Sequence, residues 1–174
     1  MNLPNIETER LFLRVYAPKD LDALHAIRND ANVYQYFPAF YSPPPKEKLR
    51  EGIARHIQRW RETGFGEFAV IEKASENLIG YCGLMYLDNT EEIEIYYGFP
   101  KKYWGKGFAT EAARAVLKFA FKEVNLAQVA GVTNPKNIAS QRVLEKIGLK
   151  FRGEITCYQM ECSYFRISRE EFKK

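Results

Sequence analysis

Hydrophobic and polar positions alternate between residues 6 and 16, with Leu11, Leu13 and Val15 on one side and Phe12 and Arg14 on the other. A two-residue period is that of a strand with one buried face. Pro18-Lys19-Asp20 then opens a segment where Leu21, Leu24 and Ile27 recur at helical spacing, with His25 beside the stripe. A second helical stripe, Leu49, Ile53, Ile57 and Trp60, stops at Gly64. His25 and His56 both read as packed or solvent-edge histidines. Residues 32–45 carry Pro38 and Pro43-Pro44-Pro45 and read as a loop. Its rings, Tyr34, Tyr36, Phe37, Phe40 and Tyr41, either plug the loop against the core or line a substrate entrance.

Strand patterns follow at residues 66–73 and 78–87, separated by Ala74-Ser75-Glu76-Asn77, which is the signature of an antiparallel hairpin. Residues 92–99 alternate again, Ile93, Ile95 and Tyr97 against Glu92, Glu94 and Tyr96. Beyond Gly105 and Gly107 comes a helix with Ala112, Ala113, Val116, Leu117, Ala120, Phe121 and Val124 on its apolar side. A strand at 127–133 precedes a helix at 136–147, which Gly148 terminates. Runs at 151–158 and 160–167 complete the pattern. The chain is expected to form one α/β (α+β) domain over residues 1–174, with about seven strands and about four helices.

Composition changes little in this picture. At 174 residues the chain is long enough for one core without staples. A net charge of +4, with Lys and Arg scattered among Glu, gives no nucleic-acid footprint. Cys82, Cys157 and Cys162 form no C-x-x-C pair, and two histidines supply no zinc spacing, so reduced cysteines and no metal are expected. Neither a signal-peptide pattern nor an apolar run long enough to span a membrane is present, so a cytoplasmic protein is expected.

The chemistry concentrates at Trp104-Gly105-Lys106-Gly107-Phe108-Ala109-Thr110-Glu111, where a strand passes into a helix. Glycines admit a ligand close to the backbone, and a helix start offers unpaired N–H groups and a positive dipole end. The stretch is either a tight turn or a phosphate site. It is not a Walker A loop, since Lys106 is followed by Gly107, nor a dinucleotide fingerprint, since Thr110 stands where the third glycine belongs.

Gly105-Lys106-Gly107-Phe108-Ala109 resembles the pyrophosphate loop of the GNAT acetyltransferase superfamily, Q/R-x-x-G-x-G/A. Four further stretches are similar to its RimJ/RimL-type branch, in the family's order. They are Thr8-Glu9-Arg10-Leu11-Phe12-Leu13-Arg14, Leu78-Ile79-Gly80-Tyr81-Cys82-Gly83-Leu84, Glu94-Ile95-Tyr96-Tyr97, and Asn137-Ile138-Ala139-Ser140 followed by Val143 to Leu149. Two positions depart from the pattern. Trp104 adjoins the glycine loop where many relatives have Gln or Arg, and Leu144 stands where many carry a tyrosine that reprotonates the departing thiolate.

The resemblance implies a mostly antiparallel sheet with a V-shaped cleft after the fourth strand, and acetyl-CoA as cosubstrate. Pantetheine would pair with the backbone at Tyr97, Gly98 and Phe99. The pyrophosphate would lie on the N–H groups of Gly105, Lys106, Gly107, Phe108, Ala109 and Thr110. Asn137 would reach the pantetheine, its alternative being a helix cap. Glu94 matches the family's glutamate and is the candidate base, with a solvated strand charge as the alternative. Glu67 and Glu92 are expected to be such solvated charges. Ser140 is the remaining hydroxyl for the thiolate, or else a packing serine. The expected activity is N-acetylation of a primary amine, foremost a protein N-terminal α-amine. Polyamine or aminoglycoside acetylation, or CoA binding without catalysis, are the alternatives. The expected state is a monomer or homodimer.

Overall fold

A computed structural model describes residues 3–38 and 41–173; Phe40, among the loop aromatics above, lies outside the described residues. In chain order the strands are β1 (Asn5–Glu7), β2 (Leu11–Arg14), β3 (Glu67–Glu72), β4 (Leu78–Tyr86), β5 (Ile93–Gly98), β6 (Gln128–Thr133), β7 (Lys150–Cys157) and β8 (Met160–Ser168). The helices are α1 (Leu21–Arg28), α2 (Ala31–Tyr34), α3 (Lys46–Thr63), α4 (Phe108–Lys122), α5 (Ile138–Lys146) and α6 (Arg169–Phe172). The strands form one sheet in the order β1-β2-β3-β4-β5-β6-β8-β7. Every pairing is antiparallel except β5 with β6, which are parallel and bridged at one register position, Glu94 to Ala130.

The expected first strand is two strands, giving eight rather than seven. The chain reverses between Thr8 and Leu11, where the Thr8 N–H donates to the Leu11 carbonyl at 3.0 Å and the Leu11 N–H returns to Thr8 Oγ1 at 3.0 Å. The expected loop after α1 contains the one-turn helix α2, capped by Asp30, which accepts from the Asn32 N–H at 2.8 Å. The expectation of reduced cysteines is corrected at two positions. The β7–β8 hairpin brings Cys157 and Cys162 together, Cα to Cα 6.3 Å, as a disulfide, while Cys82 is a buried free thiol. A separation of five residues across a hairpin is no recognisable spacing, which is why the sequence did not show it.

The two faces of the sheet bury different helices. On one, Leu11, Leu13, Phe68, Val70, Ile93 and Ile95 pack against Ala112, Ala113, Val116 and Leu117 of α4 and Leu144 of α5. Small alanines let α4 lie close to the strands. On the other, Tyr16, Ala69 and Leu24 of α1 pack with Ile53 of α3. The left-handed Gly64 (φ 76°) ends α3 as its C-cap, as its sequence implied. Trp60 stands at the junction, its ring 4.7 Å from Phe68 and its Nε1 donating to the Glu67 carbonyl at 3.2 Å. Among the described residues, no helix is long and apolar enough to cross a membrane.

Two glycines separate packing from propensity in a test. A methyl at Gly83 would lie 2.5 Å from Glu67 Cα and the Gly66 carbonyl, backbone that cannot yield, whereas one at Gly52 in α3 meets nothing within 4 Å. Gly83→Ala is expected to lower stability by about 1–3 kcal/mol. Gly52→Ala is expected to raise it by about 0.5–1 kcal/mol through helix propensity. Urea unfolding of both variants checks this, and equal effects would contradict the described packing around β4.

Candidate active site

Beyond Glu94 the two parallel strands separate: from Ile95 to Gly98, β5 has no ladder partner on its β6 side. The opening is therefore a wedge with unpaired backbone along one wall, the arrangement into which an extended ligand adds as a strand. Tyr97 and Gly98 lie on that wall. Gly98 is required there because the Tyr81 ring crosses it, 2.3 Å from where a Cβ would stand. Phe99 is buried, with its ring over Gly80, and its carbonyl accepts from Trp104 Nε1 at 2.6 Å. That carbonyl is engaged, so a pairing with ligand backbone on this stretch falls to Tyr97 and Gly98. The Trp104 bond also ties the end of β5 to the glycine loop, a role that the backbone argument gave no reason to expect.

The loop itself has the shape the sequence suggested. Gly105 and Gly107 both adopt left-handed backbone, φ 73° and 81°, and Gly107 is the N-cap of α4 with no side chain capping it. The first-turn N–H groups at Phe108, Ala109 and Thr110 follow, in the positions that lack helical partners. Glu111 sits in this turn, where its charge would oppose an anion. Three donors hold it: Thr8 Oγ1 at 2.7 Å, the Arg10 N–H at 2.9 Å and Arg10 Nε at 2.7 Å. Burial pushes its carboxyl up, but the Thr8 and Arg10 bonds outweigh this and hold it below the usual range. Arg10 also donates from Nη1 to the Lys106 carbonyl at 2.9 Å and stacks its guanidinium 4.6 Å from the Phe108 ring. The reversal that splits β1 from β2 thus serves as a brace for the glycine loop.

On the far wall, Asn137 caps α5, its Oδ1 accepting the Ser140 N–H at 3.1 Å. That leaves its side-chain amide hydrogens for a ligand, so the two roles weighed for it are compatible. Ser140 Oγ is 3.0 Å from the Tyr97 hydroxyl, which joins α5 to β5 across the wedge. Leu144 is buried against Gly131 and carries no proton.

The other face of β5 bears the carboxylates. Glu94 is 3 % exposed. Burial pushes its pKa up; the hydrogen bond that Tyr158 donates pulls it back only in part, Asp88 adds to the rise, and the result is about 7. Glu67 is not the solvated strand charge expected of it. It is 1 % exposed, accepts from Arg28 Nη2 at 2.5 Å and from the Tyr16 hydroxyl at 2.6 Å, and is thereby committed. Burial pushes its carboxyl up, but Arg28 foremost, then His56 and Tyr16, bring it below its usual value. Glu92, half-buried, accepts from Tyr164 at 2.8 Å and from Gln128 at 3.2 Å. Arg28 lies 3.8 Å over the Tyr81 ring, the same ring that crosses Gly98. Above it Tyr34, Phe37 and Tyr41 pack on one another, with centroids 4.9–5.2 Å apart. Asn134 Nδ2, just past the end of β6, donates to the Tyr36 carbonyl at 3.4 Å, which ties this loop to the wedge's second strand. Among the described residues no group of His, Cys, Asp and Glu could hold a metal.

A family model described as an acetyltransferase (GNAT) domain matches residues 10–150. The chain is 32% identical over 149 residues to an uncharacterized N-acetyltransferase, YnaD, of Bacillus subtilis, covering 86% of this chain and 84% of that one. A putative ribosomal N-acetyltransferase, YdaF, of the same organism is 28% identical over 84% of this chain and 81% of its own length. Among solved structures, a GNAT-family acetyltransferase from Bacillus anthracis superposes with a TM-score of 0.80 at 31% identity, over 96% of this chain and 99% of that one.

Acetyl-CoA is expected to raise the Tm of the wild-type protein progressively, by about 2.7 kcal/mol of stabilisation at a hundredfold excess over Kd. Gly107→Val is expected to weaken that binding about ten- to hundredfold, since a β-branched residue is strained at φ 81° and would shift the loop N–H groups, at a cost of about one bond to a charged phosphate. Arg10→Ala should act in the same direction by releasing Glu111 toward the anion. Calorimetric titration with acetyl-CoA checks both, and full affinity in Gly107→Val would reduce the loop to a turn.

Proposed function

Because this chain belongs to the GNAT acetyltransferase family, its transfer of an acetyl group from acetyl-CoA to an amine is the premise, and we propose that the acceptor is a protein N-terminal α-amine, with Glu94 as the base. The observation that carries this reading is Glu94 itself: a buried carboxylate at the point where β5 leaves β6, with no cation beside it among the described residues and a pKa of about 7. A base of that strength suits an α-amine, whose ammonium form has a pKa of about 7.7–8.0, so the proton moves over less than about one unit. A lysine-like amine at about 10.4 lies 3.4 units higher, a deficit of about 4.6 kcal/mol. The similarity to a relative named a putative ribosomal N-acetyltransferase agrees with the same acceptor, as does the resemblance to the RimJ/RimL-type branch.

In this reading the acceptor enters on the Glu94 face, below the aromatic loop, and the thioester lies along Tyr97 and Gly98. Glu94 takes the ammonium proton, directly or through water, freeing the nitrogen lone pair. The nitrogen then attacks the thioester carbonyl carbon; the C–N bond forms, and the C–S bond breaks with its electron pair going to sulfur. As that bond breaks the nitrogen sheds its second proton, and the Ser140 and Tyr97 hydroxyls, hydrogen-bonded to each other at the wedge where Leu144 offers nothing, relay a proton to the thiolate and regain the one they give from that nitrogen. Pantetheine is held by Tyr97, Gly98 and the Asn137 amide, and the pyrophosphate by the N–H groups of residues 105–110.

With an α-amine peptide, kcat/KM is expected to rise with pH through about 7 as Glu94 ionises, since only the carboxylate form can accept the proton. Glu94→Gln should leave only the rise set by the amine's own ionisation and lower the rate with a lysine-like amine about 10²-fold or more, the loss for the peptide being smaller and fading as pH climbs towards its amine's pKa of about 7.7–8.0. The measurement is kcat/KM against pH for both amines, in wild type and variant. Equal fractional losses with unchanged profiles would take Glu94 out of the base role. A panel of N-terminal peptides and small polyamines, assayed by CoA release, decides the acceptor class.

A further inference from the structure

A two-residue hairpin turn of type I′ needs left-handed backbone at both central positions, which is why Asn-Gly and Asp-Gly dominate there. Between β7 and β8 the two residues are Tyr158 (φ 50°) and Gln159 (φ 57°), neither of which favours that region. Strain of this kind persists where the surroundings over-determine it, and it clusters at functional sites. At Tyr158 three contacts do so. Its N–H donates to Asp88 Oδ2 at 2.6 Å, its hydroxyl donates to Glu94 Oε1, and the disulfide between Cys157 and Cys162 closes the strands behind the turn. The exposed Gln159 has no hydrogen bond of its side chain among the described residues. What the turn delivers is therefore the Tyr158 side chain.

We propose that Tyr158 is a positioning residue for acetyl transfer: its phenol holds the Glu94 carboxylate in one orientation at the mouth of the β5–β6 wedge, and the strained turn serves to present that phenol. The proposal rests on the reading of Glu94 as the base. The groups around Glu94 bear this out by elimination. Its neighbours across the sheet, Met85 on β4 and Ala130 on β6, carry no charge. Glu92 and Tyr96 share its strand face, but Glu92 is answered by Tyr164 and lies 3.9 Å from Arg166 of β8, and Tyr96 turns toward Glu67. Asp88 opposes the charged form, and the Tyr158 hydroxyl favours it. Among the described residues this phenol is the only side chain that donates to Glu94.

Tyr158→Phe keeps the ring and the turn and removes one hydrogen bond. Expected are a Tm lowered at pH above about 7 and little changed below it, unchanged acetyl-CoA affinity, and a rising limb of kcat/KM displaced upward by about one pH unit. Above that limb the variant should approach wild type. Carboxyl ¹³C shifts of Glu94, followed through a pH titration without substrate, should show the same displacement. An unshifted Glu94 titration in the variant would overturn the proposal, as would a uniform loss of activity at every pH. Tyr158→Phe added to Glu94→Gln should change nothing further, and an additional loss would show the phenol acting elsewhere. If Glu94→Gln alone left the rate intact, the base reading would fall, while the titration would still decide whether Tyr158 positions the carboxylate.

Discussion

Parallel neighbours in a sheet cannot be joined by a tight turn, so the one parallel junction here, β5 to β6, requires a crossover, and α4 is that crossover. The helix must begin beside the end of β5 and pack on the sheet before β6 can start. Its N-terminus is therefore placed at the mouth of the wedge by topology, before any ligand is considered. The same junction ends after Glu94, which leaves the backbone of Ile95 to Gly98 unpaired on that side. An anion-attracting helix start and an unpaired strand edge, side by side, suit a ligand with a phosphate end and an amide-bearing arm. The two glycines at 105 and 107 then let the chain turn from one to the other in left-handed backbone that other residues rarely adopt.

Much of this was legible because it is written in local periods. The alternation of Ile93, Ile95 and Tyr97 against Glu92, Glu94 and Tyr96 places the two sets on opposite faces, and the structure follows it. The alanine-rich stripe of α4 and the Gly64 cap are of the same kind. What could not be read is what depends on distant partners. Thr8 and Arg10 look like ordinary strand residues until Glu111, about a hundred positions later, arrives to bond them. Glu67 has the spacing of an outward strand charge, yet Arg28 and Tyr16 come from elsewhere in the chain to cover it. Tyr158 is the clearest case: it reads as the last residue of a strand-like run, and nothing local says that its side chain folds back toward β5.

The brace at Glu111 shows how the fold reconciles two demands on one helix turn. An acidic residue in the first turn of α4 favours the helix dipole and so helps the helix form. It would also oppose the anion proposed to bind at the same turn. Arg10 and Thr8 neutralise and turn away the carboxylate, so the helix keeps its favourable end charge while the N–H groups of residues 108–110 stay available. Because Arg10 simultaneously holds the Lys106 carbonyl, the geometry of the loop and the charge at its edge are set by one side chain.

Glu67 and Glu94 are nearly equally buried, on the same face of one sheet, and their environments drive them apart. Arg28 lies against Glu67 and, with Tyr16, keeps it ionised; removing either partner would leave a buried charge without compensation. Such a carboxylate is spoken for, and a proton offered to it would first have to displace a guanidinium. Glu94 has a phenol and no cation, so desolvation dominates and its affinity for a proton rises to the neutral range. Two identical side chains thereby divide into a structural anchor and a group that can gain and lose a proton near pH 7, which is the division of labour that acid–base chemistry requires. The proposal of Glu94 as the base draws on that contrast: burial by itself marks both, and only the identity of the partner tells them apart.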